Sequence, residues 1–251
     1  MTPEISPKDR FITVYGRNPV HEVLLDPDLH VDKVVIAEGA RGAGLTEIRK
    51  AAGRRGIGVQ SASAERVKKL SGNGRQDQGV FADVVAPRML PLPVALDHAD
   101  LRTVLVLDGI TTPANVGMIL RTATAAGVDG IVVPRRGVAS LDPLVVKASA
   151  GVAFRAPILK AFTAAEAVSA LREHGFHVVG LDAEGEDDLF TAHLPEPTAF
   201  VLGSETSGHG PEVTGLVDTW VSIPMAGGVE SLNVAAAAAV VCFELVRRAR
   251  A

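Results

Sequence analysis

The sequence predicts an α/β protein in which a small N-terminal α/β unit precedes a larger unit built on a mostly parallel sheet. Short apolar segments alternate with helical stretches over residues 103–248, as βα units around a parallel sheet do. A proline-rich stretch, APRMLPLPVALDHAD, interrupts the chain before that alternation begins. Proline removes a backbone donor and fixes φ, so we expect no regular element there. The predicted units are therefore 1–95, which includes this linker, and 96–251.

Each unit has its own expected elements. In the first, we expect strands at 33–37, 57–60 and 79–85, with helices at 45–53 and 64–70. In the second, we expect strands at 103–107, 131–133, 177–180, 199–202 and 220–223, with helices at about 115–126, 164–174 and 231–248. The last helix is apolar on all sides between Val234 and Phe243, so other parts of the fold or a partner subunit must cover it.

Length and composition exclude several classes of protein. The chain has 251 residues, of which 47% are hydrophobic and 22% charged, so it can bury a core and is not expected to be disordered. Its longest apolar run, Val234 to Phe243, is far shorter than the roughly 20 residues of a membrane span. The first ten residues contain no apolar signal-peptide core. The single cysteine, Cys242, excludes an internal disulfide and a multi-cysteine zinc site. We therefore expect a cytoplasmic protein with no membrane partner.

The charge is unevenly distributed. The net charge of −4 combines +3 over residues 1–95 with −7 over the remainder. Within 41–75, nine basic residues are opposed only by Glu47 and Glu65. Such a segment is typical either of a nucleic-acid-binding patch or of a solvated helix face, and charge alone does not decide between them.

The first of three loops that could carry chemistry is TTPANVGMILRTATAAGVDG, residues 111–130. Asn115 lies near the expected helix start, where it can cap free N–H groups. Gly117 leaves room for another backbone or a ligand. Arg121 lies six residues beyond Asn115, which is about 9 Å along a helix. A capped, tightly packed helix with one surface arginine would also explain most of this segment.

The second loop is FVLGSETSGHGPEV, residues 200–213. An apolar strand runs into Gly203, Gly208 and Gly210, with the carboxylate of Glu205 between them. The segment matches neither a P-loop nor a dinucleotide-binding fingerprint. Taken alone, it is more typical of a glycine-rich turn with a solvated glutamate, and His209 of an incidental loop histidine.

The third is VSIPMAGGVESLNVAAAAAVVCFELVRR, residues 221–248, in which a strand end and a glycine pair lead into the last helix, which Ser231 or Asn233 opens. All three loops follow strand ends, which is where open α/β sheets bind ligands.

Together the three loops resemble a known family. Asn115 to Arg121 reads N-V-G-x-x-x-R, Gly203 to Gly208 reads G-x-E-x-x-G, and Ile223 to Val234 reads I-P-M-x-G-x-x-x-S-L-N-V. In this order they resemble the motifs of the SpoU/TrmH family, the SPOUT-class RNA 2′-O-ribose methyltransferases. Residues 15–85 are similar to the substrate-binding domain of the subgroup that methylates guanosine in 23S ribosomal RNA.

The resemblance implies a trefoil-knotted methyltransferase domain, a ribosomal-protein-like N-terminal domain and a homodimer. It implies S-adenosylmethionine as methyl donor, S-adenosylhomocysteine as product, and no metal. The implied catalytic residues are Asn115, Arg121, Glu205, Ser231 and Asn233. The implied cofactor contacts are Gly203, Ile223 and Leu232. For RNA binding, the candidates are Arg17, Asn18, Arg54, Arg55, Lys68, Lys69 and Arg75.

Arg121 can act in two ways. In the family, the arginine of the first motif is the proposed proton acceptor or activator of the 2′-hydroxyl. A guanidinium stays protonated at physiological pH, so binding the neighbouring phosphate and stabilising developing alkoxide is at least as good an assignment.

The chain departs from the family pattern at two positions. The chain has Ala235 where many members have serine, and His209 where an apolar residue is usual.

The same chemistry on transfer RNA, or at a ribosomal site that confers antibiotic resistance, is a close alternative. A non-catalytic RNA-binding or ribosome-assembly factor is an alternative of another class, although it would not need Arg121, Glu205, Ser231 and Asn233 together. With one Tyr and one Trp in the chain, arginine stacking or hydrogen bonding would have to replace aromatic stacking platforms.

Overall fold

The computed structural model describes residues 9–72, 74, 76–204 and 208–250. It contains two sheets, one of four strands and one of eight, with helices packed against them. The sequence prediction of a small α/β unit followed by a larger unit with a parallel sheet is confirmed.

The N-terminal sheet has the strand order β1-β4-β2-β3. Strand β4 pairs antiparallel with β1 and β2, while β2 and β3 are parallel. The bounds are β1 (Phe11–Tyr15), α1 (Arg17–Leu25), β2 (Val31–Ala37), α2 (Ala43–Arg54), β3 (Val59–Ala62), α3 (Ala64–Ser71) and β4 (Val80–Val85). Because β1 alternates, Ile12 and Val14 enter the core, while Phe11 and Thr13 face the opposite side and stay partly exposed.

The larger sheet has the order β10-β12-β9-β11-β6-β7-β8-β5, and its strand pairs are parallel. Its central strands are buried on both faces and consist of apolar runs such as TVLVL, as parallel sheets require. The strands are β5 (Leu90–Pro91), β6 (Thr103–Leu107), β7 (Gly130–Pro134), β8 (Ile158–Ala161), β9 (His177–Leu181), β10 (Asp187–Asp188), β11 (Thr198–Leu202) and β12 (Thr219–Ser222).

Helices cover both faces of this sheet. They are α4 (Leu92–His98), α5 (Pro113–Ala126), α6 (Pro143–Ala148), α7 (Ala164–Glu173), α8 (Pro211–Thr214) and α9 (Val234–Arg248). Helices α5 and α9 pack against each other and bring the first and third loops together. The expected trefoil knot concerns how the chain is threaded, which strand order does not define, so it stays a prediction.

The expectation that residues 86–100 form no regular element is wrong. Strand β5 and helix α4 both lie there. Pro91 is the N-cap residue of α4 and Pro93 occupies the second helical position, where no intrahelical partner exists for an N–H. The prolines therefore start the helix instead of preventing it. The division into 1–95 and 96–251 stays a prediction, and its boundary falls inside α4.

A search of the described residues finds no helix long and apolar enough to cross a membrane.

Candidate active site

A side-chain hydrogen bond joins the first and third loops. Asn233 donates from Nδ2 to Oδ1 of Asn115 over 3.1 Å. The Oδ1 atom of Asn233 accepts from the backbone N–H groups of Ala235 and Ala236, so Asn233 is the N-cap of α9. This cap also fixes the orientation of the amide, because the backbone donors require an oxygen. Two residues proposed as catalytic thus lie in contact, and α9 begins at Val234, three residues later than expected.

The expectation that Asn115 caps the first helix is wrong. Helix α5 begins at Pro113 with Thr112 as its N-cap residue, so Asn115 lies inside the first turn. It is 8% exposed and its Oδ1 accepts from the start of α9. The proline supplies the fixed φ that a first helical position favours, and Asn115 makes the contact between the loops.

Gly117 makes the close approach that the sequence predicts, and the neighbour is another backbone. A Cβ at this position would lie 2.5 Å from Cβ of Ala148 and 2.7 Å from the carbonyl oxygen of Val145. Helix α6 therefore packs directly on the first turns of α5. Any larger residue at 117 would push α6 away and move the helix that carries Asn115 and Arg121.

A cavity of about 230 Å³ opens where the second and third loops meet. Its wall includes all three residues proposed for the cofactor, Gly203, Ile223 and Leu232, together with Ser231. Leu181, the last residue of β9, and Asp182 directly after it complete another side. The cavity is thus built at the carboxyl ends of parallel strands, where α/β sheets bind ligands.

The glycines of the second loop allow its two ends to touch. Ser204 and Gly208 exchange backbone hydrogen bonds of 2.9 and 3.0 Å. A Cβ at Gly203 would lie 2.8 Å from the carbonyl carbon of Gly208, so this contact requires glycine. Asp108, just beyond β6, accepts from the backbone N–H of Gly210 over 2.7 Å and holds the loop to the neighbouring strand.

His209 has a definite structural position. Its Nε2 lies 2.9 Å from the carbonyl oxygen of Leu181, and its ring meets Trp220 edge-on with centroids 5.0 Å apart. The bond to a carbonyl makes Nε2 a donor, and the buried Nδ1 has no hydrogen-bond partner among the described residues. The sequence favours a loop histidine over a base for His209, and these contacts add that its ring is part of the cavity wall.

Of the remaining proposed catalytic residues, two are exposed and one lies outside the described part of the chain. Arg121 is exposed on α5 and makes no hydrogen bond or ion pair with the protein in the described part of the chain. Ser231 is exposed at the cavity mouth. Glu205 lies outside the described residues.

The RNA-binding candidates fall into two groups. Asn18, Arg54, Lys68 and Lys69 are exposed and suitable for contacting phosphates. Arg55 instead donates to the carbonyl oxygens of Val23, Leu24, Asp26 and Leu29, which satisfies the C-terminal end of α1. Because its guanidinium is already bonded to these carbonyl oxygens, Arg55 is assigned a structural role.

Arg17 is also engaged with the protein. Its Nη2 donates to the carbonyl oxygen of Arg41 over 3.2 Å, and its guanidinium lies against Gly42. Its Nε atom is buried and has no hydrogen-bond partner within the part of the chain that the structure describes. Arg75 lies outside the described residues. The assignment of these residues to RNA stays a prediction.

The two units meet at contacts that the sequence did not reveal. The Tyr15 hydroxyl donates to Oδ2 of Asp142 over 3.2 Å, and the other oxygen of Asp142 caps α6. Arg135 forms a 2.6 Å ion pair with Asp9. No sequence signal pairs residues 127 positions apart, so these contacts require the structure.

The side chains that could bind a metal are dispersed. Among the described residues, no group of three or more His, Cys, Asp or Glu side chains lies close enough to hold an ion. Cys242 is buried in α9, and burial raises its pKa to about 12, so its thiol is a poor ligand and nucleophile.

Comparison with known proteins defines the class to which this fold and site belong. Residues 102–243 match the model of the SpoU rRNA methylase family, and residues 13–90 match the RNA 2′-O ribose methyltransferase substrate-binding model. A protein of Staphylococcus haemolyticus assigned to the TrmH family of tRNA/rRNA methyltransferases is 33% identical over 242 residues, covering 94% of this chain and 96% of its own.

Solved structures agree. The SpoU methyltransferase AviRb from Streptomyces viridochromogenes, in complex with AdoMet, superposes with a TM-score of 0.63 at 27% identity, covering 95% of this chain and 90% of its own. An AdoMet-bound rRNA methyltransferase from Sinorhizobium meliloti gives a TM-score of 0.64 at 26% identity, covering 96% of this chain and 88% of its own.

The protein is therefore an RNA 2′-O-ribose methyltransferase. The chain belongs to the SpoU/TrmH family.

Proposed function

We propose that the protein transfers a methyl group from S-adenosylmethionine to one ribose 2′-hydroxyl of 23S ribosomal RNA. The observation that carries the proposal is the meeting of all three loops at one place. The cavity collects Gly203, Ile223 and Leu232, while the bond between Asn233 and Asn115 links its edge to the helix of Arg121. The AdoMet-bound relatives support this choice of donor.

The residues present fit such a cofactor. Apolar side chains of Leu202, Ile223 and Leu232 line the cavity, and the glycine-rich second loop exposes backbone groups beside them. Few precisely placed polar groups in an otherwise apolar cleft are typical of cofactor sites. When bound, S-adenosylmethionine supplies an electrophilic methyl group that needs no metal activation.

The role of this chain is to place and activate the ribose. Exposed Arg121 has no partner in the described protein, so its guanidinium can bind the phosphate next to the target ribose and stabilise negative charge developing on O2′. The joined Asn115 and Asn233 hold α5 and α9 in register, which fixes the distance between Arg121 and the cavity. We assign Ser231 and Glu205 to the same site from the family motifs.

Ribosomal RNA is favoured over transfer RNA by the N-terminal unit. Residues 13–90 match a substrate-binding model, and this unit exposes the cations Arg54, Lys68 and Lys69 and the polar side chain of Asn18. The relative from S. meliloti is an rRNA methyltransferase. A cytoplasmic location follows from this choice of substrate.

We further propose that the protein acts as a homodimer. Helix α9 keeps an exposed apolar face, on which Phe243 is 53% exposed, and neighbouring α5 exposes Met118 at 41%. Within one protomer, part of the apolar surface of α9 therefore stays exposed, although an apolar helix of this kind is expected to be covered on all sides. A second copy packed on α5 and α9 would bury this face close to Asn115 and Asn233.

The test is methyl transfer from labelled S-adenosylmethionine to ribosomal RNA and, separately, to transfer RNA, both from cells lacking this gene. Label at one 2′-O-methylated nucleotide of 23S ribosomal RNA is the expected result. Label only in transfer RNA would keep the chemistry and overturn the substrate. Absence of both transfer and cofactor binding would favour a non-catalytic RNA-binding factor.

A further inference from the structure

A second basic surface lies on the catalytic unit, at the carboxyl ends of β7 and β8. Arg135 and Arg136 follow β7. Lys160 lies near the end of β8, and Phe162 follows that strand directly. Two backbone hydrogen bonds of 3.0 Å, from Arg135 to Ala161 and from Arg136 to Phe162, continue the pairing beyond the strands. The side chains of this segment are thus held on a rigid extension of the sheet.

Phe162 is an exposed aromatic ring with a guanidinium over it. It is 51% exposed, and Cζ of Arg136 lies 5.7 Å from its ring centroid. Exposed rings flanked by arginine are the elements on which proteins stack unpaired bases. The ring is exposed on a surface that also carries positive charge. An apolar side chain that only faced solvent would not need such a charge beside it.

Lys160 adds a cation that lacks an ionic partner. It makes no hydrogen bond or ion pair within the described residues. Burial, with Arg135 nearby, lowers its pKa to about 8. A phosphate at this position would supply the missing counter-charge. Asp9, the nearest carboxylate to act on Lys160, is already paired with Arg135.

Two cavities flank Lys160, and one of them reaches the N-terminal unit. Lys160 lines a cavity of about 380 Å³ together with Ser71 and Gly72, at the end of α3, and with the carboxylate-bearing Asp142. The last turn of α3 carries exposed Lys68 and Lys69. On its other side, Lys160 lines a groove with Arg135 and Phe162, to which Glu166 contributes the one further acidic side chain of the described lining.

We propose that Arg136 and Phe162 form a stacking platform for an unpaired base of the RNA substrate, with Lys160 contacting the adjoining phosphate. The proposal rests on the proposed function, because it assigns part of that substrate's path. It extends the RNA-binding surface from the N-terminal unit onto the catalytic unit. It also supplies an aromatic platform that the single Tyr and Trp of the chain do not.

The test compares Phe162→Ala, Arg136→Ala and Arg136→Lys in binding to a fluorescein-labelled short single-stranded RNA of mixed sequence, and to its duplex. Phe190→Ala is the matched control, since Phe190 is 44% exposed and follows β10 at the opposite edge of the sheet. Melting temperature and cofactor affinity are measured for each variant, and Phe162→Leu serves if Phe162→Ala is unstable.

Phe162→Ala is expected to weaken single-strand binding about fivefold or more and duplex binding little, with the salt dependence unchanged. Arg136→Ala is expected to weaken binding and to reduce the salt slope by about 0.7, whereas Arg136→Lys keeps the slope and loses part of the affinity. The proposal would be overturned if Phe162→Ala bound the single-stranded RNA as tightly as the wild type and Phe190→Ala do. Failure of the wild type to methylate RNA would overturn the proposed function, and the binding comparison is independent of that result.

Discussion

Asn233 holds two parts of the active site at once, because its amide nitrogen donates to Asn115 while its oxygen caps α9. The two functions can be separated by substitution. Aspartate at 233 can still accept from Ala235 and Ala236 but cannot donate to Asn115. Alanine loses both interactions.

We therefore expect Asn233→Asp to keep the melting temperature and lose most methyl transfer. Asn233→Ala should lose activity and about 1 kcal/mol of unfolding free energy as well. Thermal unfolding and initial rates distinguish the two variants. An Asn233→Asp variant with wild-type activity would show that the bond to Asn115 is dispensable.

Arg121 is expected to act on RNA and not on the cofactor. Arg121→Ala should abolish methyl transfer and leave the affinity for S-adenosylmethionine, measured by calorimetry, unchanged. Arg121→Lys should recover little activity, because a point charge does not reproduce bidentate phosphate binding. Loss of cofactor binding in Arg121→Ala would show that its role is assigned wrongly.

His209 is expected to support the cofactor cavity. Phenylalanine at 209 keeps a ring against Trp220 but loses the hydrogen bond to the Leu181 carbonyl, leaving that oxygen unpaired. We expect His209→Phe to weaken cofactor affinity by about fivefold, with the Michaelis constant for RNA unchanged. Equal effects on both substrates would indicate general loss of structure instead.

The bond between Tyr15 and Asp142 is expected to orient the N-terminal unit relative to the catalytic unit. Asp142 also caps α6, which packs on α5 at Gly117. Tyr15→Phe should raise the Michaelis constant for RNA by up to about tenfold, without affecting cofactor affinity. Thr13→Val is the control, because Thr13 bonds only to Asp83 of its own unit among the described contacts.

Acid stability should depend on Glu244. Its side chain is 3% exposed and pairs with Arg247 and Arg248, and hydrogen bonding to Arg247 is the main cause that lowers its pKa to about 2. A lowered folded-state pKa means that the ionised form stabilises the fold. That stabilisation is present above the unfolded-chain value of about 4.5 and is lost as the pH falls through about 2.

Glu244→Gln should therefore lower the unfolding free energy by about 1–3 kcal/mol at neutral pH. The difference from the wild type should shrink between about pH 5 and pH 2. Denaturant titrations across this range check the prediction, and a difference independent of pH would contradict it.

The sequence predicted the parts of the structure that local patterns determine. Apolar runs such as TVLVL predicted a buried parallel sheet. The glycine at 117 predicted a close approach by a neighbouring group, which is the backbone of α6. The family motifs selected Gly203, Ile223 and Leu232, which the fold brings to one cavity. The sequence did not predict contacts made in three dimensions or the helix that begins within the proline-rich stretch. It does not pair His209 with Leu181 and Trp220, and it does not show that Pro93 occupies the second position of a helix.

The RNA surface was the least predictable part. Counting basic residues cannot distinguish exposed Lys68 from Arg55, whose guanidinium is bonded to carbonyl oxygens of the α1 terminus. The same count omitted Arg136 and Phe162, which lie far from the basic segment in sequence and become neighbours only when β7 and β8 pair.

The central claim is that this three-loop site methylates a ribose hydroxyl of 23S ribosomal RNA. It is tested most directly by incubating the protein with S-adenosylmethionine and ribosomal RNA from cells lacking the gene, followed by digestion and nucleoside mass spectrometry. We expect one nucleoside with its methyl group on the ribose, which Arg121→Ala fails to produce. A methyl group on a base, or on transfer RNA alone, would contradict the account.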